Sequence, residues 1–325
     1  MSSLLSLKNL HITFDTPRGQ LAAVRGVDLE LLAGESLGVV GESGSGKTVL
    51  SRASMGLLTM STAHRTGTVI FDGQDLSTAP RDTVRSTWGT GMAMIFQDPM
   101  TALNPVRRIG SQLTEGLRVR LGMSKKEARG RAIELLKLVR IPDPEKALRK
   151  FPNQLSGGMR QRVMISIALA CNPKLLFADE PTTALDVTVQ AQILQLLSDL
   201  RKELNMSMVL VTHDLGVVAG HTDKIAVMYA GEVVEYGETK ELFANVRMPY
   251  TEALLNSIPR LDQKSSGRMT VIEGRLPDPT KPEPGCAFAS RCPYVQDKCR
   301  TEHPELQQSE NGHQFRCHFP LGVAK

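Results

Sequence analysis

The stretch GESGSGKT, Gly41 to Thr48, follows a short apolar run and precedes a helix-forming one. It fits G-x-x-x-x-G-K-[ST], and each position has a chemical reason. Glycines let successive backbone N–H groups curl around phosphate oxygens with no Cβ in the way. The helix N-terminus adds partial positive charge. Lys47 can reach the β- and γ-phosphates of a nucleotide, and the Thr48 hydroxyl can ligate Mg²⁺. A nucleoside triphosphate is the ligand this chemistry selects.

KLLFADEP supplies a second element, in which an apolar run delivers Asp179 and Glu180 to the exposed end of a buried strand. Asp179 is placed to hold Mg²⁺ through water, and Glu180 to polarise an attacking water. LSGGMRQR, Leu155 to Arg162, offers donors from Ser156, Gly157 and Gly158 at a helix start, suited to a γ-phosphate. Near the C-terminus Cys286, Cys292, Cys299 and Cys317 are separated by five, six and seventeen residues. That spacing is looser than C-x₂₋₄-C zinc pairs and unlike the ferredoxin runs, so zinc, iron–sulfur and four free thiols all stay open. Cys171, in the apolar context ALACNP, reads as a small buried hydrophobe.

The elements that must position these residues are those of an α/β protein. LLSLKNLHITF and VDLELLAGESLGVV show strand alternation or short apolar runs, bounded by Pro17, Gly19 and Gly34. Residues 36–40 read as a buried parallel strand feeding the glycine-rich loop, and TVLSRASMGLL as the helix after it. MAMIFQ (92–97), KLLFADE (174–180) and MSMVLVTHD (206–214) read as further buried strands. Between Asn104 and Ala170 the sequence is largely helical, with one helix stopping at Ile141-Pro142. VTVQAQILQLLSDLRKEL sets Ile193, Leu196, Leu197, Leu200 and Leu204 on one helix face, and KIAVMYAGEVVEYGE reads as a hairpin turning at Ala230-Gly231. Past Phe243 the periodicity fades, and residues 259–286 hold five prolines, as a linker to a small appendage would.

A formal charge of +5 invites nucleic acid or an anionic surface. The basic residues are scattered, however, and only 4% of residues are aromatic, too few for a base-stacking platform. The N-terminus lacks the basic region and apolar core of a signal peptide, and no run reaches eighteen apolar residues. A cytosolic protein is expected, and in that compartment a disulfide framework is disfavoured.

LSGGMRQR, lying after the helical region and just before the KLLFADE strand, resembles the signature of the ATP-binding cassette (ABC) family. The resemblance covers roughly residues 4–245. It implies a P-loop NTPase fold of α/β class: a RecA-like core, an antiparallel β subdomain and a helical signature subdomain over about 98–170. By the family pattern, Phe14 stacks on adenine, and ATP is bound by Gly41, Ser43, Gly44, Ser45, Gly46, Lys47, Thr48 and Val49. Mg²⁺ is implied on Thr48, Gln97 and Asp179, with Glu180, His213, Lys47 and Gln97 as catalytic residues. Ser156, Gly157, Gly158 and Met159 would face ATP held by the opposite subunit of a head-to-tail dimer, and Asp186, in Ala184 to Asp186, matches the D-loop.

Finer features resemble the bacterial dipeptide, oligopeptide and nickel permease branch, and its D-type ATPases in particular. They are IFQDPMTALNP (95–105), MPYTEALLNSIPRL (248–261) and the tail with EGRLPDP, PGCAFASRCPY and RCHFP. Met248 departs from the histidine often found before Pro-Tyr in that branch. The resemblance implies a C-terminal extension, residues 246–325, holding a [4Fe–4S] cluster on Cys286, Cys292, Cys299 and Cys317, with Zn²⁺ the alternative. It also implies a peripheral protein on the cytoplasmic face of the cell membrane. Its partners would be a homologous F-type ATPase, two membrane-spanning permease subunits and an extracytoplasmic peptide-binding protein, and no nucleic acid. An importer of nickel or another small solute, or a soluble regulatory cassette ATPase, would carry many of the same motifs.

Overall fold

In chain order the strands of the computed structural model are β1 (Ser3–Thr16), β2 (Gly19–Leu32), β3 (Ser36–Val40), β4 (Ala63–Phe71), β5 (Gln74–Asp75) and β6 (Met92–Ile95). They continue as β7 (Leu175–Asp179), β8 (Ser207–Thr212), β9 (Lys224–Tyr229), β10 (Glu232–Glu238), β11 (Gln307–Gln308) and β12 (Gln314–Phe315). The structure describes residues 3–183, 185–258, 272–281 and 283–322. The chain divides into two units: Met1–Leu32, Ser36–Thr78 and Leu210–Lys325 form the first, Ala33–Glu35 and Ala79–Val209 the second.

In the first unit, β1 and β2 make a long antiparallel hairpin whose turn falls where Pro17 and Gly19 predict it. Thr16 closes that turn, its hydroxyl donating to the Gly19 carbonyl at 2.7 Å. The sheet order is β2-β1-β4-β5. Leu10 and Ile12 are fully buried on it two residues apart, as alternation requires, and their partners Val27 and Val24, three apart, are equally buried across a break in the β1–β2 register. A second sheet runs β11-β12-β10-β9-β3, with the end of β8 next. β3 lies parallel to β9, and all five of its residues are buried. The β9–β10 turn is at Ala230-Gly231, where both residues have positive φ (47° and 86°), the geometry of a tight hairpin.

In the second unit β6 and β7 pair in parallel, Met92 opposite Leu175 through Ile95 opposite Ala178, and every residue of both is buried. The helical stretch resolves into Ile109–Leu121, Lys125–Leu138, the short Pro144–Ala147 and Gly157–Leu169. A capping box of Ser124 and Glu127 starts the second of these. Val187–Glu203 is the amphipathic helix, burying Ile193, Leu196, Leu197 and Leu200. Leu204 falls outside it, at the C-cap and half-exposed, because the helix ends one residue early. Cys171 is buried as expected, and burial raises its thiol pKa.

Candidate nucleotide-binding site

The phosphate loop begins where β3 ends. A Cβ at Gly41 would run into the Met228 carbonyl oxygen, and one at Gly46 (φ 102°) into that of Ala23, so neither position admits a side chain. Gly46 is the N-cap of the helix Lys47–Ser54, which ends with Met55 as its C-cap rather than running on to Leu58. Ser45 and Lys47 are buried, Ser43 and Gly44 exposed, and Thr48 and Val49 half-buried. The Lys47 ammonium donates to the carbonyls of Gly41 (2.7 Å) and Glu42 (2.8 Å) and reaches the Ser45 hydroxyl at 3.5 Å. It is therefore held inside the curl of the loop by weak, exchangeable acceptors that phosphate oxygens can replace.

Phe14 lies in the same unit, half-buried on β1 opposite Leu21 and Ala63. His213 follows β8 directly and is exposed.

The second unit carries the other predicted groups. Asp179 ends β7 and is only 1% exposed, more deeply set than the exposed strand end its sequence suggests. Glu180 follows in a left-handed conformation (φ 45°), which turns its side chain away from the strand path. Its Oε2 accepts from Gln97 Nε2 at 2.8 Å and from the Thr183 hydroxyl at 2.9 Å, so Gln97 and Glu180 meet. Ser156 caps Gly157–Leu169 by accepting from the Met159 N–H, and Gly157, Gly158 and Met159 form its half-buried first turn. Asp186 caps Val187–Glu203 through the Val189 N–H at 2.9 Å. Ala184 lies outside the described residues.

The four tail cysteines line one small cavity of about 20 Å³ in the first unit, together with Phe288 and Met248. Burial pushes the thiols of Cys286 and Cys317 up to about 11, with neighbouring thiols adding to the effect, and Cys292 is raised for the same first reason. Among the described residues, no three His, Cys, Asp or Glu side chains are grouped closely enough, as placed, to hold a metal ion.

Sequence reasoning missed one set of residues. Glu42, inside the phosphate loop, is bound by Arg291 and Tyr250 from the C-terminal part of the chain. No local pattern marks Arg291, 249 positions away.

A strand running into a phosphate loop, with the loop lysine turned inward, defines a nucleoside-triphosphate-binding protein. Two family models match: "ABC transporter" over residues 24–183 and "Oligopeptide/dipeptide transporter, C-terminal region" over 234–299. The dipeptide transport ATP-binding protein DppD of Bacillus subtilis is 47% identical over 318 residues, 98% of this chain and 95% of that protein. The oligopeptide transport ATP-binding protein OppD of the same organism is 48% identical, covering 96% and 88%. DppD of Escherichia coli is 47% identical, covering 99% and 98%. Among solved structures, the ATP-binding cassette MJ0796, described as dimeric and in one case bound to ADP and Pi, matches with a TM-score of 0.65 and 31% identity. That match covers 72% of this chain and 98% of MJ0796. The chain belongs to the ABC transporter family. Among the described residues, no helix is long and apolar enough to cross a membrane.

Proposed function

We propose that this chain is the ATP-hydrolysing subunit that energises import of di- and oligopeptides through separate permease subunits. One observation carries the reading. Near-complete matches to dipeptide and oligopeptide transport ATP-binding proteins extend through the C-terminal region that has its own peptide-transporter model. The cassette spans residues 1–245, with its helical subdomain over about 98–170, and residues 246–325 form the extension.

The chain's own groups divide the work. Gly41 to Val49 wrap the phosphates, Lys47 supplies positive charge to them, and Phe14 packs on the adenine. Thr48, Gln97 and Asp179 are the groups that would hold the Mg²⁺ accompanying ATP. Glu180, oriented by Gln97 and Thr183, takes the proton of the attacking water, and His213 stabilises charge on the γ-phosphate. Ser156 to Met159 serve ATP bound by a second, F-type ATPase subunit, with Asp186 beside them in that dimer. The assembly sits on the cytoplasmic face of the membrane, and an extracytoplasmic binding protein delivers the peptide.

The tail is read as a [4Fe–4S] site on Cys286, Cys292, Cys299 and Cys317. The four thiols line one cavity, which supports this reading; as placed they would have to draw closer around it to bind, thiolate being the ligand such a cluster takes. Such a group would supply cross-linking free energy to a segment with little core of its own.

Glu180→Gln tests the catalytic reading. The variant should bind ATP normally while hydrolysis and peptide uptake in the assembled transporter fall to background. Undiminished hydrolysis would remove Glu180 from its role as base.

A further inference from the structure

Glu42 is the first residue past Gly41, at the point where β3 gives way to the phosphate loop, and all its polar groups are engaged. Its carbonyl accepts from the Lys47 ammonium at 2.8 Å and from the Ser45 N–H at 3.2 Å. Its N–H donates to the Tyr250 hydroxyl at 2.9 Å. Its carboxylate receives both terminal nitrogens of Arg291, at 2.6 and 2.9 Å.

Arg291 is built in as firmly. Its side chain is 3% exposed, against 27% for that of Glu42. The remaining N–H groups donate to the Tyr229 hydroxyl (3.3 Å) and to the carbonyls of Ile272 (3.1 Å) and Glu273 (2.9 Å). All five guanidinium donors are thereby used. The group also lies over the rings of Tyr229 and Phe288, at 5.8 and 6.0 Å. Those two rings and Tyr250 pack against one another with centroids 4.5 to 5.4 Å apart. The Glu42 carboxylate, first, and the Tyr229 hydroxyl hold the guanidinium charged even more firmly than usual, against the cost of burial. Farther along the loop, a Cβ at Gly44 would sit 3.5 Å from Leu276 Cδ1, so the C-terminal part of the chain approaches the loop there too.

We propose that Arg291 is a positioning residue for the nucleotide site: it neutralises and retracts the Glu42 carboxylate, so that ATP binding depends on the docked C-terminal extension. The inference rests on the reading of Gly41 to Thr48 as an ATP-binding loop. A carboxylate within that loop opposes a polyphosphate unless its charge is compensated and its side chain is drawn to one side. The bidentate fork does both. Because the same carboxylate's backbone carries a carbonyl that holds Lys47, a shift of Glu42 also displaces the lysine.

The test is MgATP and MgADP binding to the full-length protein by titration calorimetry, with the melting temperature recorded for each variant. Arg291→Met should weaken MgATP binding about tenfold, as expected for a fixed charge left without its partner. Arg291→Lys, keeping the charge but losing the fork, should fall between. Glu42→Gln alone should cost less than Arg291→Met, and the Glu42→Gln/Arg291→Met double variant should bind better than Arg291→Met alone. In hydrolysis assays the KM for ATP should rise by more than kcat at saturating ATP falls. A well-folded Arg291→Met protein with wild-type affinity overturns the proposal, as does a double variant no better than the single one, which would mark Arg291 as a simple anchor. Should Arg291→Met fail to fold, the comparison of Arg291→Lys with Glu42→Gln/Arg291→Lys decides in the same way. Absence of MgATP binding by the wild-type chain would instead overturn the ATP-binding reading itself.

Discussion

His313→Ala should destabilise the first unit by about 3–5 kcal/mol, a lost buried hydrogen bond to a carboxylate together with the cavity the ring leaves. The structure gives the reasons. Glu235, on β10, is 0% exposed and His313 is 1% exposed, and His313 Nε2 lies 2.9 Å from Glu235 Oε1. The same carboxylate accepts from the N–H groups of Arg247 (2.7 Å) and Met248 (3.3 Å), so removing the imidazole leaves it partly served. Losing one hydrogen bond to a charged group costs about 1.5–3 kcal/mol, and the emptied ring site adds a cavity beside Phe315. In a chain of this size that sum corresponds to a fall in melting temperature of roughly 4–7 °C. The assay is scanning calorimetry combined with hydrogen exchange at the β10 and β12 amides, since the loss should appear first as local opening. His313→Gln, which restores a donor, should recover part of the deficit. A His313→Ala melting temperature within about 1 °C of wild type, with β12 exchange unchanged, would refute the reasoning.

Gly46→Ala should weaken MgATP binding about tenfold or more and lower stability, because the new methyl meets the Ala23 carbonyl at a left-handed backbone position. Titration calorimetry reads the affinity, and unaltered binding would mean the loop geometry is wrong. Glu232 provides a pH test. Burial raises its pKa, but the His303 contacts at 3.0 Å and Arg25 at 3.5 Å outweigh it, and the net value lies below the ordinary 4.5. A depressed folded pKa gives stability that is present above about pH 4.5 and lost as pH falls through the folded value. Glu232→Gln should therefore be less stable than wild type at pH 7, with the gap narrowing in melts below pH 4.5. A gap independent of pH would show that the pair contributes no linkage.

The motifs with local causes were legible in the sequence. β3 spans the five residues, Ser36–Val40, expected of it, and the hairpin turns at Ala230-Gly231, where Gly231 takes its positive φ at no steric cost. The acidic pair at the end of β7 was placed correctly along the chain, but not its geometry. The burial of Asp179 and the left-handed turn at Glu180 depend on packing that an apolar run does not encode. Least legible was the attachment of the C-terminal extension. Arg291 to Glu42, His303 to Glu232 and His313 to Glu235 span 249, 71 and 78 positions. Strands of two residues, as in β11 and β12, are too short to show alternation.

Those two short strands have a consequence of their own. β12 adds to β10 through Glu235 opposite Phe315 and Tyr236 opposite Gln314, and β11 closes over β12. The seven-residue β10 would otherwise present a row of open backbone groups on that side, an invitation to chain-to-chain strand addition. A two-residue margin offers too few groups to template another chain. The tail thus acts as a hem on the sheet, and a protein cut short before it would be expected to associate edge to edge rather than stay dispersed.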